Sequence, residues 1–128
     1  MQKDFDGWNR EKKSINELEI GPFCYERELW WCRLGINIGF EQDGSDAKYN
    51  RPILILKRLS LQTCLVIPLT TSPNNHKFRP SVGLVLNKEA RALLSQIKVI
   101  DTKRLFEKIG NLDRKIFNDI RKTAKAML

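Results

Sequence analysis

A chain of 128 residues, 41% hydrophobic and 30% charged, has the size and make-up of one ordinary globular domain with a single core. Its net charge of +8 suits contact with polyanions, of which RNA is the commonest in the cytoplasm, although a solvated basic face would give the same count. No apolar run is long enough to cross a bilayer. Met1-Gln2-Lys3-Asp4-Phe5-Asp6 mixes both charges, unlike a secretory leader, so a cytoplasmic location without membrane contact is expected.

In chain order, residues 1–20 form a polar extension. Asp6 is a suitable cap for a helix running to about Leu18, with Trp8, Ile15 and Leu18 near one stripe and Gly21-Pro22 as its stop. So hydrophilic a helix cannot hold itself together in water and must dock on the main domain or stay partly loose. A strand follows over 27–34, rich in aromatic and apolar residues, then a polar loop over 39–50 full of turn formers. Ile53-Leu54-Ile55-Leu56 is a continuous apolar run bounded by charge, the pattern of a strand buried on both faces. Thr63 to Leu69 repeats it, and Pro68, lacking an amide donor, must mark a bulge or the end of a pairing.

Residues 70–80 read as loop, 82–86 and 94–100 as two further strands, and 105–109 as a last short one. Asp113 then caps a C-terminal helix whose Ile116, Phe117, Ile120, Ala124 and Met127 share a face. The fold class expected is mainly β (α+β): a compact small barrel over residues 21–128, with a C-terminal helix and an extra N-terminal helix over 1–20.

Cys24, Cys32 and Cys64 contain no CxxC pair, and the single histidine, His76, is remote from all three in sequence. Free, buried thiols are expected, with neither a disulfide framework nor a zinc site.

Several stretches carry a recognisable pattern. They are Glu28-Leu29-Trp30-Trp31-Cys32-Arg33-Leu34-Gly35, Gly39-Phe40-Glu41-Gln42, Arg51-Pro52-Ile53-Leu54-Ile55-Leu56, Val66-Ile67-Pro68-Leu69-Thr70-Thr71-Ser72, and Leu94-Ser95-Gln96-Ile97-Lys98-Val99-Ile100-Asp101. In this order and spacing they resemble the MazF/PemK-type toxins of type II toxin–antitoxin systems, over about residues 26–128. The stretch from Gln42 to Arg51 is longer than the short glycine linker of that pattern.

The resemblance implies an SH3-like barrel of the plasmid-maintenance-toxin type, a homodimer, and a sequence-specific endoribonuclease that cuts single-stranded RNA. It implies no metal and no other cofactor, and a cognate antitoxin as protein partner. In such a reaction the 2′-hydroxyl of the substrate attacks the adjacent phosphorus, so the protein must stabilise charge and move protons rather than supply a nucleophile.

Arg51 is the first catalytic candidate, because a guanidinium forks onto two phosphate oxygens; without the motif it reads as the cap of a strand edge. Thr70 offers a hydroxyl at a strand end, although Thr-Thr-Ser before Pro73 is by itself an ordinary turn. Glu41 is a base or orienting group, or simply the salt-bridge partner of Arg51. Phe40 could stack on a base, and Gln42, Thr71, Ser72 and Gln96 complete the RNA-contact set. His76, alone in a loop, is left outside the catalytic set. Two other readings stand behind the nuclease: a gyrase-poison-like toxin on the same barrel, and a non-catalytic nucleic-acid-binding module.

Overall fold

A computed structural model describes residues 21–34, 50–74 and 76–127. The helix expected over 6–18 lies outside them, as do Phe40, Glu41 and Gln42. The described residues form a mostly β structure with one C-terminal helix. Strands β1 (Glu28–Arg33), β2 (Asn50–Arg58), β3 (Thr63–Thr70), β4 (Ser81–Val85), β5 (Lys88–Ala92), β6 (Lys98–Asp101) and β7 (Leu105–Asn111) precede helix α1 (Arg114–Ala126). All pairings are antiparallel, in the order β4-β5-β3-β2-β1-β7. On the side of β3 away from β2, Thr63 to Val66 pair with β6, and Leu69 and Thr70 pair with β5.

The side-chain alternation of the central strands divides the core in two. Leu54, Leu56, Ile67 and Leu69 pack with Phe117, Ile120 and Ala124 of α1. Ile53, Ile55 and Val66 face the other way and pack with Trp30, Ile100, Leu105 and all three cysteines. β2 is therefore buried on both faces, as its apolar run predicts. Trp30 is buried while Trp31 is half-exposed, so one of the two tryptophans faces the core.

Helix α1 begins where the Asp113 carboxylate accepts from the Lys115 and Ile116 amides, both at 3.1 Å. Pro68 is the last recorded partner in the β2–β3 ladder, opposite Ile53. Its carbonyl accepts from the Leu93 amide at 2.9 Å. The missing donor thus coincides with the point where β3 leaves β2 and turns to β5.

Two expectations need correction. Residues 94–100 are not one strand: Leu94–Gln96 is a 3-10 turn and β6 starts at Lys98. The Leu94 amide bonds the Phe78 carbonyl at 3.1 Å, which bends the chain over β3 before pairing resumes. β5 was not anticipated at all, because Lys-Glu-Ala-Arg-Ala has helix-forming composition and buries only Ala90 and Ala92. It forms because Leu86 (φ 54°) and Asn87 (φ 68°) close a two-residue hairpin from Val85 to Lys88.

Gly21 is pinned at the other end of the domain. A Cβ there would meet the Thr102 carbonyl carbon at 2.5 Å and the Lys103 amide nitrogen at 2.6 Å, so the chain enters flush against the backbone between β6 and β7.

Candidate active site

Arg51 and Thr70 lie past the end of the β2–β3 ladder, each two residues beyond its last pair, Ile53 and Pro68. Both are polar residues buried at the end of the sheet, each 6% exposed. The Arg51 Nη1 donates to the Leu69 carbonyl at 3.2 Å, one peptide before Thr70. This contact ties the guanidinium of one strand to the backbone of the next.

Thr70 Oγ1 accepts from the Ser72 amide at 3.1 Å. The hydroxyl is thereby locked in place by the turn that Thr71 and Ser72 begin, with Thr71 exposed and Ser72 half-buried. Across β5, Arg91 lies opposite Thr70, so the two side chains share a sheet face. Its Nη1 donates to the Arg79 carbonyl at 3.0 Å. No local signal in the sequence marks Arg91, because its strand follows the Leu86-Asn87 turn and leucine rarely adopts a positive φ.

Arg33 pairs with Asn50 across β1 and β2. The segment carrying Phe40, Glu41 and Gln42 therefore leaves and re-enters the fold beside Arg51, while those three residues lie outside the described part. Gln96 belongs to the 3-10 turn before Lys98, whose β3 partner is Val66. Its amide donates to the Leu93 carbonyl at 2.9 Å, and the Leu93 amide donates to the carbonyl of Pro68, two residues before Thr70. His76 uses Nδ1 to accept from the Phe78 amide at 3.1 Å and is exposed, a loop-organising contact.

Cations gather on the same side. Burial pushes the Cys32 thiol up to about 12, against the pull of Arg104, Lys98 and Arg33, and Cys32 is the β1 partner of Arg51. The Arg33 guanidinium lies 4.1 Å from the centre of the Phe106 ring, and Arg104 Nη1 donates to the Arg33 carbonyl at 2.9 Å. Arg33, Lys98 and Arg104 thus all stand near Cys32, the β1 partner of Arg51.

The cysteines themselves are fully buried and free. Cys64 is held protonated by its hydrogen bond with Cys24 and by burial, which leaves a poor nucleophile. Glu28 is a structural carboxylate. It accepts from the Tyr25 amide at 2.9 Å and Trp30 Nε1 at 3.0 Å, and pairs with Lys108 at 3.1 Å. Among the described residues no group of three or more His, Cys, Asp or Glu is placed to hold a metal ion, and no helix is long and apolar enough to cross a membrane.

The fold is shared with solved structures. A MazF from Deinococcus radiodurans superposes with a TM-score of 0.67 at 17% identity, over 83% of this chain and 96% of that one. An endoribonuclease from a mycobacterial species gives 0.61 at 17% identity, over 85% and 93%. A mycobacterial endoribonuclease in complex with its cognate antitoxin gives 0.59 at 16% identity, over 82% and 93%. Among curated proteins none matches the chain. The family model for PemK-like, MazF-like toxins of type II toxin–antitoxin systems matches residues 25–128, and the chain belongs to that family.

Proposed function

We propose that this toxin is a sequence-specific, metal-independent endoribonuclease that cuts single-stranded RNA in the cytoplasm, acts as a homodimer, and is silenced by a cognate antitoxin. One observation carries the reading: a buried guanidinium, Arg51, reaches the Leu69 carbonyl next to Thr70, a buried hydroxyl that the Ser72 amide holds in place. The endoribonuclease names of two of the solved structures that share this fold support it.

In the proposed reaction the 2′-oxygen of a ribose bonds to the adjacent phosphorus. The 5′-oxygen of the next nucleotide departs with the electron pair of its P–O bond. The products are a 2′,3′-cyclic phosphate and a 5′-hydroxyl, and the proton lost from the 2′-hydroxyl is balanced by one delivered to the leaving oxygen. Arg51 stabilises the charge that grows on the non-bridging oxygens, through N–H donors fixed in one plane. Thr70 donates to the same phosphate, since its single hydroxyl hydrogen is not used on Ser72. Glu41 takes or orients the transferred proton. Arg33, Lys98 and Arg104 attract the flanking phosphates, while Phe40, Gln42, Thr71, Ser72 and Gln96 contact the bases.

The test is digestion of a long single-stranded RNA in EDTA by wild type, Thr70→Val and Arg51→Ala, followed by analysis of the ends. Discrete fragments with cyclic phosphate termini from wild type, and at least tenfold slower cutting by both variants, are expected. Growth arrest with intact RNA would move the reading to a protein-targeting toxin. RNA binding without fragments would make the chain a binding module.

A further inference from the structure

Cys24 and Cys64 are nucleophilic side chains that the proposed reaction does not use, and they touch each other. Both are fully buried in the core cluster of Ile53, Ile55 and Val66, and their sulfur atoms share a hydrogen bond. The surrounding contacts lead to the same place. Cys64 pairs with Arg58 across β3 and β2. The Arg58 guanidinium lies 5.2 Å from the centre of the Phe23 ring and 6.0 Å from that of Tyr25. Phe23 and Tyr25 are exposed while Cys24 between them is buried. The side chains therefore alternate, and Cys24 turns inward beside the Arg58–Cys64 pair.

We propose that Cys24 and Cys64 are an oxidation site, at which a hydroperoxide converts the two thiols into a reversible disulfide that ties the segment entering the fold to β3. Thiols already in contact need only a small closure to reach bonding distance.

The roles of the two sulfurs follow from their contact. The Cys64 thiol donates to the Cys24 sulfur, and together with the Arg58 charge this holds the Cys24 thiol below its ordinary 9.0, against burial and Glu28. Cys24 is therefore the attacking sulfur. It bonds to one peroxide oxygen, the O–O bond breaks, and the other oxygen leaves and takes up the thiol proton as water. Cys24 is then a sulfenic acid, oxidised by two electrons. The Cys64 sulfur attacks it, the S–O bond breaks, and the hydroxyl leaves as water with the Cys64 proton. Two thiols and one peroxide give one disulfide and two waters. The hydrogen bond to Cys24 is what chiefly keeps Cys64 protonated, and the first step removes that acceptor.

Access comes through the entering segment. Residues 21–25 belong to no helix or strand, so a local opening there brings Cys24 to solvent without disturbing the sheet. Cys32 has no such route. It lies in β1 between Arg51 of β2 and Leu105 of β7, and burial holds its thiol up at about 12. A disulfide from Cys24 to Cys64 encloses residues 25–63, the stretch that holds β1, β2 and Arg51, and limits how far that stretch can spread when the chain unfolds.

The experiment exposes the full chain, freed of reductant, to hydrogen peroxide, blocks remaining thiols with an alkylating agent in denaturant, and maps the peptides by mass spectrometry. The expected product is a Cys24–Cys64 link within single chains, with Cys32 alkylated and dithiothreitol restoring both thiols. A melting curve supplies a second readout: the linked protein should melt at least about 5 °C above the reduced one, as closure of a loop of this length implies. A link that includes Cys32, links only between chains, or Cys24 carried to sulfinic acid with no link would each overturn the proposal. So would both thiols remaining alkylatable after free cysteine in the same tube is oxidised, or a smaller rise in melting temperature.

Discussion

Replacing Arg51 by lysine keeps the charge and removes the fork, and the consequences for rate and for stability separate cleanly. Arg51 is buried and donates to the Leu69 carbonyl at 3.2 Å. Loss of a hydrogen bond from a charged donor costs about 1.5–3 kcal/mol of stability. A domain of this size starts from roughly 5–15 kcal/mol. Even at the low end of that range, a 2 kcal/mol loss leaves more than about 99% of molecules folded at 25 °C. Unfolding therefore cannot lower the rate noticeably.

The loss of preorganised donors aimed at a phosphorane, in contrast, costs about 10²–10³ in kcat, or 2.7–4 kcal/mol of transition-state stabilisation. The assay is single-turnover cleavage of a short RNA in EDTA at saturating protein, with a melting curve on the same sample. Arg51→Lys should melt cooperatively, a few degrees lower than wild type, and cut at least a hundredfold more slowly. RNA binding should change less than threefold, because the positive charge remains. Cleavage within threefold of wild type would refute the assignment of Arg51 to charge stabilisation. A slow variant that fails to melt cooperatively would refute the claim that the two effects separate.

Three further outcomes are expected. Lys98→Gln removes one of the cations near Cys32; the slope of log affinity against log salt for single-stranded RNA should fall by about 0.7, and unchanged slope would take Lys98 off the RNA path. Leu86→Gly removes a leucine held at φ 54° and 55% exposed; a left-handed conformation costs a non-glycine residue about 1 kcal/mol, so the denaturant midpoint should rise, and a fall would mean that Leu86 has a packing role. For Glu28, burial raises the carboxyl pKa, but the hydrogen bonds from Trp30 and Tyr25 and the pairing with Lys108 outweigh it and hold the group below its ordinary 4.5. A depressed folded-state pKa gives stability that is fully present above the unfolded value and lost as pH falls through the folded one. Glu28→Gln should thus flatten the loss of stability below about pH 4.5 in denaturant titrations, and parallel curves for the two proteins would refute that.

How far the sequence revealed the fold depends on what kind of signal each element carries. β2 and β3 are written in contiguous apolar runs that only burial on both faces explains, and α1 in a cap plus a 3.6-residue period, so each was readable from local chemistry. β5 has no such signature. Its Lys88, Glu89 and Arg91 favour a helix, and what makes it a strand is the Leu86-Asn87 turn and the pairing of Ala92 and Arg91 with Leu69 and Thr70. That pairing is a tertiary fact, and propensity yields to it. The single run read over 94–100 fails for a related reason: the Leu94 amide and the Phe78 carbonyl meet across 16 residues of sequence. Arg51 and Thr70 each belong to a motif, whereas the approach of Arg51 to the carbonyl before Thr70 is a tertiary contact that no local pattern states.

The placement of that pair also fits the demands of the proposed chemistry. When the nucleophile belongs to the substrate, the protein's contribution is to hold donors still where charge develops, and a donor on a mobile loop gives part of that advantage back to reorganisation. Arg51 and Thr70 sit at the ends of the two strands that form the middle of the sheet, on the face packed with Ile53, Ile55 and Val66. The Leu69 carbonyl fixes one and the Ser72 amide the other. Arg33 and Asn50, which flank the segment from 35 to 49, pair beside Arg51, so under the proposed function base contacts from that segment can vary while the strand ends stay as they are. Substitutions in it should then change which RNA is cut more readily than how fast a good site is cut, and substitutions at Arg51 or Thr70 should do the reverse.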